Sequence, residues 1–432
     1  MADLVKLSLE RAWPAAVNLT ARWLERGERI DALVETLPGN LTGPERGRCL
    51  HLVLGVVRHA GRIEAALDRL IAHPPRFVTR AVLYVAGFEL VEAGQGGPDG
   101  GLAARIVHHA VERTKTLASP AEARMVNAVV RKLAAAFAAQ SPPGRLASAG
   151  ELAEYHSHPE WLVSRWLATF GAAGTRSLLE WNQAPASIHA RWRDLARPPP
   201  DWLSPAGRPG FFTVPPGRWQ DIEPLLAAGS LYLQDPGTAD SVALLDPRPG
   251  ETVLDLCAAP GGKSLLIADT MRAGRLVAVD LPSSRIDRLK ENLARVAGVE
   301  TALVPHDVRE YLPSRLQSLK LPVEYPAVLI DVPCSNTGVM RHRVDVKWRL
   351  QEGDFAKHER QQRTLLSAAA RLVALGGRLV YSTCSIDPAE NERVVEAFMR
   401  RNAGFELVEQ RRALPWEAGH DGGAAFLIRR RR

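Results

Sequence analysis

Between residues 252 and 382, five short β-rich runs alternate with stretches of helical period. The runs are Thr252–Leu256 and residues 275–280, 301–305, 327–331 and 378–382. Behind the second, Ile286, Leu289, Leu293 and Val296 recur on one helical face. Strands joined by crossover helices pair in parallel. Residues 231–432 are therefore expected to form an α/β domain with a mostly parallel, doubly wound sheet. Ligands of such sheets sit beyond the carboxyl ends of the strands. The residues that follow each run are the ones to read for function.

The first run ends in Asp255 and leads into Cys257, Ala258, Ala259, Pro260, Gly261, Gly262 and Lys263. Small residues let backbone approach a ligand closely. The helix start behind them offers free N–H groups to an anionic group such as a carboxylate. Gly262-Lys263-Ser264 matches the end of a P-loop, but that loop needs glycine where Cys257 stands. A dinucleotide G-x-G-x-x-G is absent too. The second run ends in Asp280, placed to accept from ribose hydroxyls, although a lone Asp there is more often a helix cap. The third leads to Asp307, a candidate for an adenine amino group. One such end is weak; three in succession point to an adenosine-type cofactor.

The fourth run delivers Asp331-Val332-Pro333-Cys334, and the last delivers Tyr381-Ser382-Thr383-Cys384. Two of the four cysteines thus leave strands at one edge of one sheet. A lone cysteine is often a small apolar filler. Two at strand ends, each beside small hydroxyl residues, read better as a pair of working thiols. Residue types alone do not say which thiol attacks. A thiolate activates a pyrimidine by adding to carbon 6, which makes carbon 5 nucleophilic. Asp331 is the candidate to stabilise charge near N3 or the exocyclic amine. The base must first leave its stack.

These stretches resemble the NOL1/NOP2/Sun family of RNA cytosine-C5 methyltransferases. The match lies in residues 257–263 (CAAPGGK), 331–338 (DVPCSNTG), 381–385 (YSTCS) and Glu390-Asn391-Glu392. The resemblance implies a Rossmann-like class I methyltransferase domain and S-adenosyl-L-methionine as cofactor. It places the nucleophile at Cys384 and product release at Cys334. It assigns the cofactor to Cys257 through Lys263, Asp280, Asp307 and Asp331, and so gives Asp331 two duties. Two positions depart from the pattern: Val344 follows Arg341-His342-Arg343 where proline is common, and His420-Asp421-Gly422 runs into Gly423 rather than aromatics.

At 432 residues the chain exceeds what one core usually organises. Residues 1–142 show helical period throughout. Ser119-Pro120-Ala121-Glu122 reads as a capping box ahead of Met125, Val129, Leu133 and Phe137. Residues 46–62 (RGRCLHLVLGVVRHAGR) resemble the NusB-like RNA-binding domain of the bacterial Sun/Fmu branch, which implies 16S rRNA as substrate. Cys49, within that stretch, reads as core filler. Residues 140–150 read as a linker, and residues 150–230 as a small mixed α/β module, with a β-like run at Ile188–Trp192.

The net charge of +7 favours an anionic partner such as RNA, although a mild basic excess also simply aids solubility. The basic block at residues 429–432 is open to two readings, a phosphate contact or a frayed, solvated end. No C-x-x-C pair suggests zinc, so no metal is expected. No apolar run approaches the roughly 20 residues of a membrane span. Residues 1–11 carry Asp3, Lys6 and Glu10 in place of a signal-peptide core. The expectation is a cytoplasmic monomer. Two other readings compete: a tRNA cytosine-C5 methyltransferase, and a non-catalytic RNA-binding assembly factor, which the presence of Cys384 disfavours.

Overall fold

The computed structural model describes residues 11–95 and 101–431; Asp3, Lys6, Glu10 and Arg432 lie outside them. The chain divides into two compact units. One comprises residues 1–184 with Met340–Arg349, the other Pro185–Val339 with Leu350–Arg432.

Helices Ala12–Arg26, Gly43–Asp68, Phe77–Gln95, Leu102–Leu117 and Pro120–Ala139 build the core of the first unit. Their starts are set by local chemistry. Ser119 accepts from the Glu122 N–H with Pro120 at the first helical position. Thr42 and Glu45 form a reciprocal capping box. Helix Phe77–Gln95 runs through the middle and buries residues 81–86 on all sides. Cys49 is fully buried among these side chains, and burial pushes its thiol up to about 11. It is filler, as its surroundings in the sequence suggested.

The contacts divide the chain elsewhere than its composition does. Residues 140–148 are a connection inside the helical unit. Helix Ala149–Tyr155 begins on a second capping box, Ser148 with Glu151. Helix Glu160–Gln183 buries Leu162, Val163, Trp166, Leu178 and Leu179. The Ser157 hydroxyl accepts from Gly61 N at 2.7 Å, and the Arg62 guanidinium sits 4.6 Å over the Tyr155 ring. Residues 340–349 join the same unit from far along the chain. Asp345 accepts from Ile30 N at 3.3 Å, Lys347 Nζ donates to Arg58 O at 2.8 Å, and Trp348 Nε1 donates to Val57 O at 2.8 Å.

Among its described residues, the second unit holds two sheets. The smaller has β1 (Ile188–Trp192), β2 (Ser204–Pro205), β3 (Phe211–Val214) and β4 (Leu231–Leu233), antiparallel in the order β2-β3-β1-β4. The larger has β5 (Thr252–Leu256), β6 (Gly274–Asp280), β7 (Val299–Pro305), β8 (Tyr325–Asp331), β9 (Val373–Thr383), β10 (Phe405–Ala413) and β11 (Gly423–Arg430). Its order is β10-β11-β9-β8-β5-β6-β7. Strands β5 to β9 are parallel; β11 and β10 close one edge antiparallel. The central strands are covered on both faces, which is why residues 276–279 and 327–330 are continuous, fully buried apolar runs.

Hairpin β10–β11 carries no signal in the sequence, because β10 is a polar edge with Glu406, Glu409, Arg411 and Arg412. It also contains part of the basic block. Arg429 and Arg430 are strand residues rather than a frayed end. Arg430 pairs with Glu324 at 3.0 Å, and Arg431 N donates to Gly404 O at 2.8 Å. No helix among the described residues is long and apolar enough to cross a membrane.

A Cβ on Gly55 would run into the Phe88 ring in the core of the helical unit. Gly55→Ala is expected to destabilise that unit by about 1–3 kcal/mol through overpacking. A lower midpoint of its transition in urea checks this; an unchanged midpoint refutes it.

Candidate functional site

The strand order reverses between β5 and β8, and the carboxyl ends of β5, β6, β8 and β9 meet around that point. Every polar residue singled out at these ends is found there.

Strand β5 delivers Asp255 with no exposure. Its Oδ2 accepts from the Ser264 hydroxyl at 2.6 Å, while Oδ1 has no partner. Burial pushes this carboxyl up to about 7, with Asp331 adding and Ser264 opposing. The turn that follows is tightly braced. Ala259 N donates to Asp280 Oδ2 at 2.8 Å, and Asn292 Nδ2 donates to Pro260 O at 2.7 Å. The Arg285 guanidinium donates to Ala259 O. Gly261 has φ +104°, and a Cβ there would lie 3.0 Å from Leu289 and 3.2 Å from Asn292. That position needs glycine on both counts. The small sheet supports the same turn: Gln234 Nε2 donates to Gly262 O at 3.1 Å, and Arg191 and Arg193 hold Asp269 at 2.5 and 2.7 Å.

Lys263, in the first turn of helix Gly262–Met271, reaches Asp331 Oδ2 at 2.6 Å. Burial opposes its charge, but Asp331, with Cys384 and Asp255, holds the ammonium pKa above its ordinary value. Asp331 also accepts from the Ser382 hydroxyl at 3.0 Å, across the β8–β9 pair. Asp280 accepts from Leu281 N at 2.7 Å with its second oxygen. Asp307 sits apart from these, bonded through both oxygens to Arg309, whose guanidinium holds the carboxyl low. Burial and the Asp280 and Asp331 carboxylates push the Cys257 thiol well up.

Cys334 and Cys384 meet, Sγ to Sγ, at 3.1 Å. They are not equivalent. Cys334 is buried, and its hydrogen bond to Cys384, then burial, push its thiol well up. Cys384 is half-buried, donates to Asn336 Oδ1 at 3.3 Å, and lines an open cleft. That cleft is also lined by Lys263, Asp235, Asp421, Arg411 and Ser382.

Two of these, Asp235 and Arg411, were not visible in the sequence, whereas Asp421 lay in the departing stretch 420–423. Asp235 and Asp421 lie 186 positions apart and are joined by Asp421 N donating to Asp235 Oδ1 at 3.1 Å. Arg411 comes from the unsignalled edge strand. Asn336 was inside a recognised motif, and its φ of +61° is a left-handed conformation that asparagine tolerates better than most residues. The glycines at 422 and 423 have a packing reason: Gly422 N donates to Gly338 O at 2.9 Å, and a Cβ on Gly423 would lie 2.5 Å from Thr383 O.

Comparison with known proteins adds an independent line. The family model described as 16S rRNA methyltransferase RsmB/F matches residues 242–422, and the NusB family model matches residues 11–135. The chain is 31% identical over 400 residues to the ribosomal RNA small subunit methyltransferase B of Sodalis glossinidius, covering 89% of this chain and 88% of that one. It is 30% identical over 402 residues to the protein of the same name from Serratia proteamaculans, covering 89% of each. Among solved structures, PH0851 superposes with a TM-score of 0.76 at 23% identity, over 96% of this chain and 98% of that one. NSun6 of Pyrococcus horikoshii superposes at 0.52 with 18% identity, over 63% and 98%. At these identities the two structures speak for the fold alone.

Asp255 offers a test of the site's electrostatics. Its carboxyl rises from about 4 in an unfolded chain to about 7 in the fold. The folded state therefore holds the proton more tightly. The resulting stability is full below about pH 4 and is lost as pH rises through about 7. Between pH 5 and pH 8 the Tm of the catalytic unit is expected to fall at least about 2 °C further in the wild type than in Asp255→Asn. Equal falls in the two proteins would refute it.

Proposed function

The chain belongs to the ribosomal RNA small subunit methyltransferase B family, and from that premise we propose that it methylates carbon 5 of a cytosine in 16S rRNA through a bond from Cys384 to carbon 6. It is an S-adenosylmethionine-dependent rRNA methyltransferase with a NusB-like helical unit ahead of its catalytic unit. The position on the base and the covalent step are the proposal. The observation that carries them is the pair of thiols 3.1 Å apart, with the more exposed one on the cleft. Transfer to an exocyclic amine needs no thiol, whereas carbon 5 of cytosine is inert until carbon 6 has been attacked.

The residues present fit the cofactor. Asp255 Oδ1 is buried without a partner at the end of β5, and the small residues that follow it let backbone approach a ligand closely. Residues 257–263 would hold the methionine part, Asp280 the ribose and Asp307 the adenine, while Asp331 serves cofactor and base together. When bound, S-adenosylmethionine supplies an electrophilic methyl group on a sulfonium centre.

The chain's own residues perform the rest. Cys384 gives up its thiol proton to solvent and adds as the thiolate to carbon 6 of the unstacked cytosine, and the electron pair of the 5,6 double bond moves toward carbon 5 and N3. Asp331, oriented by Lys263 and Ser382, meets the exocyclic amine, and the Lys263 ammonium offsets the charge that develops. After methylation the carbon 5 proton passes to a base, the double bond re-forms and the sulfur–carbon bond breaks. Cys334 is a buried thiol hydrogen-bonded to Cys384 at 3.1 Å. It is the group beside the departing Cys384 sulfur that can protonate it.

Cys384→Ala is expected to abolish methylation of 16S rRNA while leaving cofactor affinity intact, measured with labelled cofactor and by calorimetry. Full activity in that variant would sink the mechanism. Cys334→Ala is expected to retain attack but release slowly, and so to accumulate a protein–RNA adduct stable to denaturant. A gel that shows no such adduct speaks against the release role.

A further inference from the structure

Glu390 follows the second thiol by six residues and is buried with no exposure. Among the described residues no lysine or arginine pairs with it. Burying a carboxylate without a cation is costly unless several donors converge on it. Four do. Oε1 accepts from Ser335 N at 2.9 Å and from Gln362 Nε2 at 3.1 Å. Oε2 accepts from the hydroxyl of Ser385 at 2.5 Å and from the hydroxyl of Ser335.

The identity of the donors is informative. Ser335 follows Cys334 directly, and Ser385 follows Cys384. One carboxylate therefore clamps the two cysteine loops, which are 50 positions apart in sequence, onto each other. The clamp is reinforced on both sides. Gln362 also donates to Pro333 O at 3.0 Å, the residue before Cys334. Tyr381 donates to Glu390 O at 2.6 Å from the strand that delivers Cys384. Thr337 Oγ1 bonds Ser385 Oγ at 3.0 Å and accepts from Ile386 N at 3.1 Å.

We infer that Glu390 is the positioning residue for the reaction: it touches neither thiol, but it sets the distance and angle at which Cys334 and Cys384 face each other. The serine hydroxyl beside each cysteine points inward to one acid, and the two hydroxyls also lie 3.2 Å from each other. Charge-assisted bonds to a fixed carboxylate are short and directional, which suits a geometry that must survive one thiol forming and breaking a bond. The inference rests on the reading of Cys384 and Cys334 as the working pair.

The test uses the full-length protein with four variants: Glu390→Ala, Glu390→Gln, Ser335→Ala and Ser385→Ala. A displacement of about 1 Å in a catalytic group can cost roughly 100-fold in rate. Glu390→Ala is therefore expected to lower kcat by about 100-fold, with KM for RNA and cofactor affinity within about threefold. Glu390→Gln keeps two acceptor positions on its oxygen and the same shape, and is expected to recover about tenfold of that loss. Each serine variant removes one arm and is expected to lose about tenfold in kcat. If Glu390→Ala folds and its kcat stays within about threefold of the wild type, the inference is overturned. If it does not fold, the serine variants decide: a kcat within about threefold of wild type in both overturns it equally. Cys384→Ala is assayed beside them. An active Cys384→Ala overturns the covalent reading itself, whereas an inactive one with unaffected clamp variants overturns only the role of Glu390.

Discussion

The site depends on one pairing, the parallel register of β8 with β9. Asp331 lies opposite Ser382, and Val332 N donates to Ser382 O at 3.0 Å. From that point each strand has only a few residues to run before its cysteine. A slip of one residue would turn every side chain on that strand to the other face and separate the two sulfurs. The register is protected by burial: residues 327–330 have no exposure, and Leu379, Val380 and Tyr381 have none either. Hydrophobic packing thus specifies a distance between two sulfur atoms that lie beyond the strands themselves.

Around this pair the charges are graded. Asp255 lies deepest and leans toward its neutral form, whereas Lys263 and Asp331 form a short ion pair at the cleft. Cys257 and Cys334 are held as neutral thiols by their surroundings. Cys384 alone of the three combines partial exposure with a place on the cleft wall. Solvent access and neighbouring charge thus distinguish these cysteines from one another, not the cysteine side chain itself.

The helical unit is not a contiguous piece of chain. It takes Met340–Arg349 from between the first cysteine loop and helix Asp354–Ala370. Lys347 is buried there with a backbone carbonyl as its hydrogen-bond acceptor, and burial together with Arg58 lowers its pKa well below the ordinary value. The Arg341 guanidinium lies 4.2 Å over the Trp181 ring. A segment so anchored makes the folding of one unit conditional on residues that belong, in sequence, to the other.

The sequence by itself determined the parallel strands, the glycine-rich turn, the helix cap at Ser119, and the candidacy of Cys334 and Cys384. These features are local: a period of two or 3.6, a turn that only glycine can make, a side chain bonding three residues ahead. The tertiary structure decided what depends on distant residues meeting. Polar β10 joins the sheet because β11 offers it an edge. Residues 149–183 and 340–349 enter the helical unit because they bury against helix Gly43–Asp68. Asp235 and Asp421 share a wall across 186 positions. Glu390 was legible as part of a motif, but its work was not. A carboxylate in a sequence shows its charge, and only the fold shows that three donors from two loops and a fourth from helix Asp354–Ala370 converge on it.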